Sequence, residues 1–219
     1  MKWRRQLNRR IVILANSIRP GGRCVAGICA ETGEWIRPVP RDTDRAVPNV
    51  TSISRISLLD LVEVPLAGDR PSPPDRYQHE NWFVDSWTWK VVDQWSAKQI
   101  KPFIESKGII LHTASDRVDT SYFDSLPPEQ WKSLQLVKSK VTFSKDSWDT
   151  RRWRASFKDG SGNLLYLKVT DPVISDKLDQ GKNVSQKCLL TVSLAGPWAP
   201  DDGSQPERCY KLVAGVIEL

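Results

Sequence analysis

The residues best suited to binding chemistry in this sequence are arginines that stand near tryptophans, in two separate stretches. The first stretch contains Arg19, Arg23, Trp35, Arg37 and Arg41. The second contains Arg152, Trp153 and Arg154. Proteins that bind single-stranded nucleic acid combine cationic groups for the phosphates with aromatic faces on which the bases stack. The residue types therefore predict a nucleic-acid-binding surface built from these two stretches.

The first stretch also has an interpretation that needs no ligand. Trp35 could fill the core while Arg37 forms an ion pair with a nearby carboxylate. The carboxylates closest in sequence are those of Glu31 and Glu34. Because arginine is rarely buried without a partner, we favour a ligand contact more for the arginines than for Trp35.

The second stretch reads as one strand in which alternate side chains face opposite sides. Arg152 and Arg154 then share a face, and Trp153 points to the other. This pattern suits phosphate contact by the arginines with Trp153 in the core. It equally suits a charged edge strand that avoids unwanted pairing with other sheets.

Catalytic chemistry has little basis in the sequence. The pairs His79–Glu80 and His112–Asp116 have no nucleophile or orienting group at a recognisable spacing. The four cysteines contain no CxxC motif, and no carboxylate cluster suggests a metal site. We therefore expect a protein that is not an enzyme and that uses no metal or cofactor.

The charge of the chain is concentrated in two segments. The net charge is +6, with an isoelectric point near 9.2. Residues 1–41 carry a net charge of +7 and residues 138–158 a net charge of +5, which leaves −6 for the rest. Two basic segments on an acidic background indicate a surface for a polyanion, although solvated loops would also account for them.

The composition is that of a folded protein outside the membrane. Mean hydropathy is −0.44 across 219 residues. No stretch approaches the roughly 18 consecutive apolar residues of a membrane-spanning helix. The apolar run after the basic N-terminus is too short for an export signal, so the expected compartment is the cytoplasm.

Short apolar runs separated by Gly and Pro predict a mainly β chain with a few short helices. Helices are expected from Ser96 to Ile104, from Ser121 to Leu136 and from Ile174 to Gln180. Short strands with frequent turns are typical of small barrels. The predicted organisation is a first barrel with a basic N-terminal arm, a partly helical connector and a second barrel, at 1–94, 95–136 and 137–219.

Several phrases in the sequence resemble one known family. They are LANSIRPGGRCVAGICAETGEWIRPV at 14–39, HENW at 79–82, YLKVTDP at 166–172, LLTVSLAGPW at 189–198 and CYKLVAGVI at 209–217. Together they resemble the prokaryotic dual OB-containing domain. The resemblance implies two OB-like barrels and a role in binding nucleic acid, often in bacterial defence or mobile-element systems. It implies no catalytic residues.

The sequence thus predicts a cytoplasmic, non-catalytic protein of two OB-like small β-barrels that binds nucleic acid, with single strands favoured over duplex. The alternative is a protein-interaction or regulatory subunit that recruits an effector protein. Pull-down of a partner that survives nuclease treatment would favour this alternative.

Overall fold

The computed structural model describes residues 7–41, 45–72 and 77–219, and this part of the chain is mainly β, as predicted. Its strands are β1 (Leu7–Arg19), β2 (Gly22–Cys29), β3 (Trp35–Val39), β4 (Asp60–Leu66), β5 (Asn81–Phe83), β6 (Lys90–Gln94), β7 (Arg117–Asp119), β8 (Leu134–Lys140), β9 (Thr142–Lys145), β10 (Trp153–Lys158), β11 (Leu164–Val169), β12 (Lys187–Leu194) and β13 (Arg208–Glu218). Its helices are α1 (Thr51–Ser54), α2 (Thr120–Asp124) and α3 (Pro172–Asp179), with 3-10 turns at Lys101–Phe103 and Pro128–Gln130.

The chain folds into two compact units. The first contains the described residues 7–41, 45–72 and 80–103, and the second contains 77–79 and 104–219. The segment 95–136, predicted as a connector, is therefore divided between the two units. Its C-terminal part supplies β7, α2 and the start of β8, because these residues bury apolar side chains in the second unit. The first six residues of the predicted basic arm lie outside the described residues.

The first unit is a six-stranded sheet in the order β5-β3-β2-β1-β4-β6. The long strand β1 pairs antiparallel with β2 along one half and with β4 along the other. Strands β3 and β5 are parallel. An isolated bridge between Leu66 and Val84 links the end of β4 to the residue after β5, and the Ala67 amide donates to the Phe83 carbonyl at 2.8 Å.

The second unit repeats this order of elements. Its sheet runs β8-β12-β13-β11-β10-β9, with β11 and β13 parallel and β7 added beside β13. Strands β8 and β9 follow each other with only Val141 between them. With β8 and β9 counted as one interrupted strand, and β7 and α2 set aside, each unit has three strands before its helix α1 or α3. Three strands follow the helix in the first unit and two in the second.

Each unit has its own apolar core. Ile11, Ile13 and Val25 belong to the core of the first unit, and its strand β1 is buried continuously from Ile11 to Ser17. In the second unit β10 and β11 alternate, so that Ala155 and Leu167 face the core while their neighbours face out. Alternation with a period of two is the signature of a strand with one solvated face.

Two of the three predicted helices are wrong in extent. The stretch from Ser96 to Ile104 contains only the 3-10 turn at Lys101–Phe103, and the stretch from Ser121 to Leu136 contains α2, a 3-10 turn and the start of β8. Proline accounts for both differences, because it removes an amide donor and disfavours helix in the residue before it. None of the helices among the described residues is long and apolar enough to cross a membrane.

The third predicted helix is confirmed as α3. Its N-cap Asp171 accepts hydrogen bonds from the amides of Val173 and Ile174 at 2.9 and 3.3 Å. The other oxygen of this carboxylate accepts from the Val216 amide at 2.9 Å, which ties α3 to β13. Pro172 at the first helical position supplies the φ angle that a helix needs.

Candidate nucleic-acid interface

Arg37 lies inside the first unit and does not face a ligand. Its side chain is buried, and its Nη2 and Nε lie 2.7 and 2.9 Å from Glu80 Oε1. Burial lowers the pKa of this guanidinium. Interactions with Cys24 and Glu80 raise it by more, so the net shift is upward. The prediction that Arg37 is a surface contact is thus corrected, because folding brings it to a carboxylate 43 residues away.

The expected neighbours of Arg37 have other partners. Glu31 accepts a hydrogen bond from Arg10 Nε at 2.7 Å rather than from Arg37. Trp35 begins β3 and is partly exposed, opposite Ile28 of β2. Neither side chain forms a continuous surface with Arg37, since β2 and β3 are buried from Val25 to Cys29 and from Ile36 to Val39.

The other arginines of the first stretch are held by local contacts. Arg23 donates to Asn49 Oδ1 at 2.7 Å and to the side-chain oxygen of Asn16 at 3.2 Å. The guanidinium of Arg41 donates to both carboxylate oxygens of Asp69 and lies 4.5 Å from the centre of the Phe83 ring. Arg19 ends β1 and is partly exposed. The structure thus distributes these side chains instead of gathering them into one basic site.

The outer face of β9, β10 and β11 in the second unit is solvent-accessible and carries cations. We call these outward residues the strand face: Thr142, Ser144, Arg154, Ser156, Lys158, Leu164, Tyr166 and Lys168. Arg154 lies between Ser144 and Lys168 across the strands, and Ser156 lies between Thr142 and Tyr166. The Arg154 guanidinium is 5.4 Å from the centre of the Tyr166 ring. Cations and an aromatic ring therefore alternate on one open surface.

The second predicted stretch is thereby divided between two environments. Arg154 is on the strand face, whereas Trp153 packs partly against the core of the second unit. The Trp153 Nε1 donates to Asp179 at 2.9 Å, and the Lys145 ammonium lies 4.2 Å from the Trp153 ring centre. Arg152 lies just before β10 and is exposed. Of the three, Arg152 is thus exposed, whereas Trp153 is partly buried and Arg154 is partly exposed.

Carboxylates in the loop between β9 and β10 offset part of this positive charge. Arg154 Nε donates to Asp146 at 2.6 Å, and Arg152 lies 2.9 Å from Asp149. Hydrogen bonds from Arg151 lower the pKa of Asp149 to about 2. Burial lowers the pKa of Lys168, and the charges of Arg152 and Arg154 lower it further. The cations thus repel one another despite the nearby acids.

The β9–β10 loop carries an exposed aromatic residue that the sequence interpretation did not select. Trp148 is 96% exposed, and its amide donates to Asp146 at 2.9 Å, which fixes the turn. Tyr166 on the strand face is 43% exposed. The available signal was a tryptophan in a polar turn flanked by Ser and Asp, where no strand pattern gave it a core position.

Three lysines form a second cationic group on β8 and β12, and they are not among the site residues predicted from the sequence. Lys140 lies directly opposite Lys187, and Lys138 is two residues away on the same strand. All three side chains are exposed. Within the described ranges, ion pairs involve three different lysines, which are Lys132, Lys145 and Lys177. Like charges directly opposite in a sheet are destabilising. This lysine group is therefore a place where a bound anion would relieve repulsion.

His112, one of the two histidines considered for catalysis, is held by backbone contacts in the second unit. The Lys132 amide donates to His112 Nε2 at 3.1 Å, and burial lowers the pKa of this histidine. In the described ranges, no three side chains of His, Cys, Asp or Glu come together as metal ligands would. The four cysteines are free thiols, and burial raises the pKa of Cys188 to about 11 and of Cys209 to about 12.

Comparison with known proteins gives weak structural and strong family similarity. No curated protein sequence matches the chain. It is similar to the p204 HINb domain (TM-score 0.35, 11% identity, 99% of this chain and 100% of that chain) and to the tetrameric p202 HIN2 domain (TM-score 0.30, 8% identity, 98% and 95%). Similarity at this level supports no argument about function.

The family comparison is decisive by contrast. The model of the dual OB-containing domain matches residues 9–216, which is nearly the whole chain. This match confirms the family resemblance seen in the sequence. The chain belongs to the dual OB-containing domain family.

Proposed function

We propose that this protein binds single-stranded nucleic acid, without catalysis, through the strand face and the adjacent β9–β10 loop of its second unit. The observation that carries the proposal is the fully exposed Trp148 beside a face that presents Arg154, Tyr166 and Lys168. Exposed aromatic residues next to cations are the combination that unpaired bases and phosphates require.

The aromatic residues supply the contact with the bases. A base stacked on an aromatic side chain contributes about 1–3 kcal/mol, whatever its sequence. Trp148 and Tyr166 reach solvent without help from a conformational change. Duplex DNA hides the faces of its bases in the helical stack, so these two rings favour an unpaired strand.

The lysine group supplies contacts with the backbone. Lys138, Lys140 and Lys187 lie on strands next to one another in the same sheet that carries the strand face. Each phosphate that a single strand places on such a cation releases a counterion, which makes binding salt-dependent. The loop arginines Arg151 and Arg152 add to these contacts through the solvent-facing parts of their guanidinium groups, which are exposed although their shared aspartate partner is partly buried.

We also infer that each unit closes into an OB-like barrel. In the first unit the Leu66–Val84 bridge supports closure, and in the second β8 and β9 are consecutive segments that pair with opposite ends of the sheet. OB-folds bind oligonucleotides on their second and third strands and the loop before them. In the second unit these elements are β10, β11 and the β9–β10 loop.

Fluorescence anisotropy with a labelled oligonucleotide tests the proposal. The probe is single-stranded dT or rU of about 12 nucleotides, a length within the range that one OB-fold covers. We expect saturable binding that weakens as salt rises from about 50 to 200 mM, and weaker binding of a duplex of equal length. Absence of binding at low salt, or indifference to salt, would overturn the proposal.

That negative outcome would favour the alternative of a regulatory subunit that recruits an effector protein. A purified partner whose complex survives nuclease would then be the expected finding. We further propose a bacterial defence or mobile-element context, which rests on the family resemblance, and a cytoplasmic location, which rests on the sequence pattern.

A further inference from the structure

A cavity of about 420 Å³ opens beside the strand face in the second unit. Three segments build its wall: the residues before β7, the β9–β10 loop, and strands β10 and β11. The lining side chains that matter here are Ser115, Asp116, Asp146, Trp148, Arg154 and Tyr166. Aromatic, cationic and anionic groups therefore meet around one cavity.

The mixture of charges indicates which part of a nucleic acid enters. A phosphate would meet the carboxylates of Asp116 and Asp146, and this repulsion disfavours it. A neutral base would find the rings of Trp148 and Tyr166 as apolar walls. It would also find hydrogen-bonding groups of both kinds, which an uncharged polar molecule needs when it leaves water.

We propose that this cavity binds an unpaired guanine, an inference that rests on the proposed function. Guanine presents two acceptors, O6 and N7, which a guanidinium binds with paired donors. On its Watson–Crick edge it presents N1–H and the N2 amino group, which suit a carboxylate. Arg154 supplies the donors and Asp116 the acceptors. Adenine offers no carbonyl to Arg154, and thymine and cytosine lack the N7 acceptor.

The two residues are prepared for these roles in different ways. Asp146 holds the Nε of Arg154 at 2.6 Å, which leaves the terminal nitrogens as the part of the guanidinium that meets the base. The Asp116 carboxylate pairs with the partly exposed Arg117 at 3.2 Å and keeps 40% of its side-chain surface in water. An exposed pair of this kind contributes little, so a base can compete for the carboxylate.

The test compares single-base changes within one carrier strand. Labelled dT strands of about 12 nucleotides carry one central dG, dI, dA or 7-deaza-dG, and anisotropy gives the Kd of each. We expect dG to bind about tenfold more tightly than dA. Inosine lacks the N2 amino group and 7-deazaguanine lacks N7, so each should lose a severalfold part of that preference.

Variants then assign the preference to the cavity. Asp116→Asn should reduce the ratio between the Kd values for dG and dI to about one, because a single amide oxygen cannot accept from both N1–H and the N2 amino group. Asp176→Asn, at an exposed position on α3, removes the same charge outside the cavity and should keep the full preference.

The possible failures are distinct. Equal binding of all strands by the wild-type protein would overturn the guanine inference and leave the proposed function standing. A guanine preference that Asp116→Asn does not change would also overturn it, because another site would then read the base. Absence of any binding at low salt would overturn both the cavity inference and the proposed function.

Discussion

The two units share an order of elements but use their second and third strands in opposite ways. In the first unit β2 and β3 are buried over most of their length, and Arg37 of β3 is neutralised by Glu80. In the second unit β10 and β11 alternate, and Arg154 with Lys168 faces solvent. The same topology thus makes a core in one unit and a candidate ligand surface in the other. Function follows from the residues placed on a fold rather than from the fold itself.

The pKa values of the buried cations in the two units are shifted in opposite directions. Arg37 has a carboxylate partner, and the net shift of its pKa is upward. Lys211 in the second unit is 2% exposed, and its Nζ donates to the carbonyls of Ile110 and Thr113 at 2.7 and 2.5 Å. Burial lowers the pKa of Lys211 to about 8, although Asp159 and Asp116 oppose this shift. A carbonyl compensates a buried charge less than a carboxylate does.

The largest expected effect is on stability, in the first unit. Arg37→Met removes the buried cation that pairs with the Glu80 carboxylate, so we expect a loss of about 3–5 kcal/mol in the free energy of unfolding, measured by urea denaturation. Arg41→Met is the matched control, because its pair with Asp69 is exposed and should contribute less than about 1 kcal/mol. Equal losses in the two variants would show that burial of Arg37 does not determine how much its ion pair contributes to the free energy of unfolding.

The double variant Arg37→Met/Glu80→Leu sharpens that result. Apolar replacement of both partners removes both buried charges and should recover most of the lost stability. If the first unit has no part in the ligand surface, this double variant, once its stability is recovered, should bind dT oligonucleotides with unchanged Kd. A large loss of binding would assign Arg37 a ligand role after all.

The next prediction compares how lysines of the two units contribute to the salt dependence of dT binding. Replacing Lys138, Lys140 and Lys187 together by Ala should lower the magnitude of the salt slope of dT binding by about 2, since each contact with a single strand contributes about 0.7. The matched control replaces Lys90, Lys98 and Lys101, which are exposed lysines of the first unit, and should leave the slope unchanged. Similar slopes for both triple variants would contradict a ligand surface confined to the second unit.

Trp148 tests the contact with the bases. Trp148→Ala should weaken dT binding by about 1–3 kcal/mol, measured as Kd by anisotropy. Since this side chain is almost fully exposed, the melting temperature should not change. Trp148→Phe keeps a stacking face and should retain most of the affinity. Weakening by Phe as severe as that by Ala would exclude stacking as the cause.

The smallest effect concerns Lys211 and its titration. The folded pKa of about 8 lies below the usual lysine value of about 10.4, so the unfolded chain binds more protons between these two pH values. The free energy of unfolding should therefore rise relative to Lys211→Met as pH increases through this window, by about 1–2 kcal/mol. Urea denaturation at about pH 7.5 and pH 10 measures the difference, and a constant difference would refute the shift.

Local pattern was sufficient for strands such as β10 and β11 and for one helix. The alternation of β10 and β11 and the Asp-Pro start of α3 are visible in the sequence because neighbours along the chain decide them. The two wrong helices had a helical spacing of apolar residues, but their prolines and the tertiary burial of β8 outweighed it.

The sequence by itself determined the mainly β fold, the family and the presence of cations beside aromatic residues. Only the tertiary structure decided which cations are available. Arg37 and Glu80 are 43 residues apart, and Lys140 and Lys187 become neighbours only through the pairing of β8 with β12. A charge is neutralised or left unopposed by what lies within a few ångströms of it, because water and salt screen longer distances. That distance is set by strand pairing and not by position along the chain.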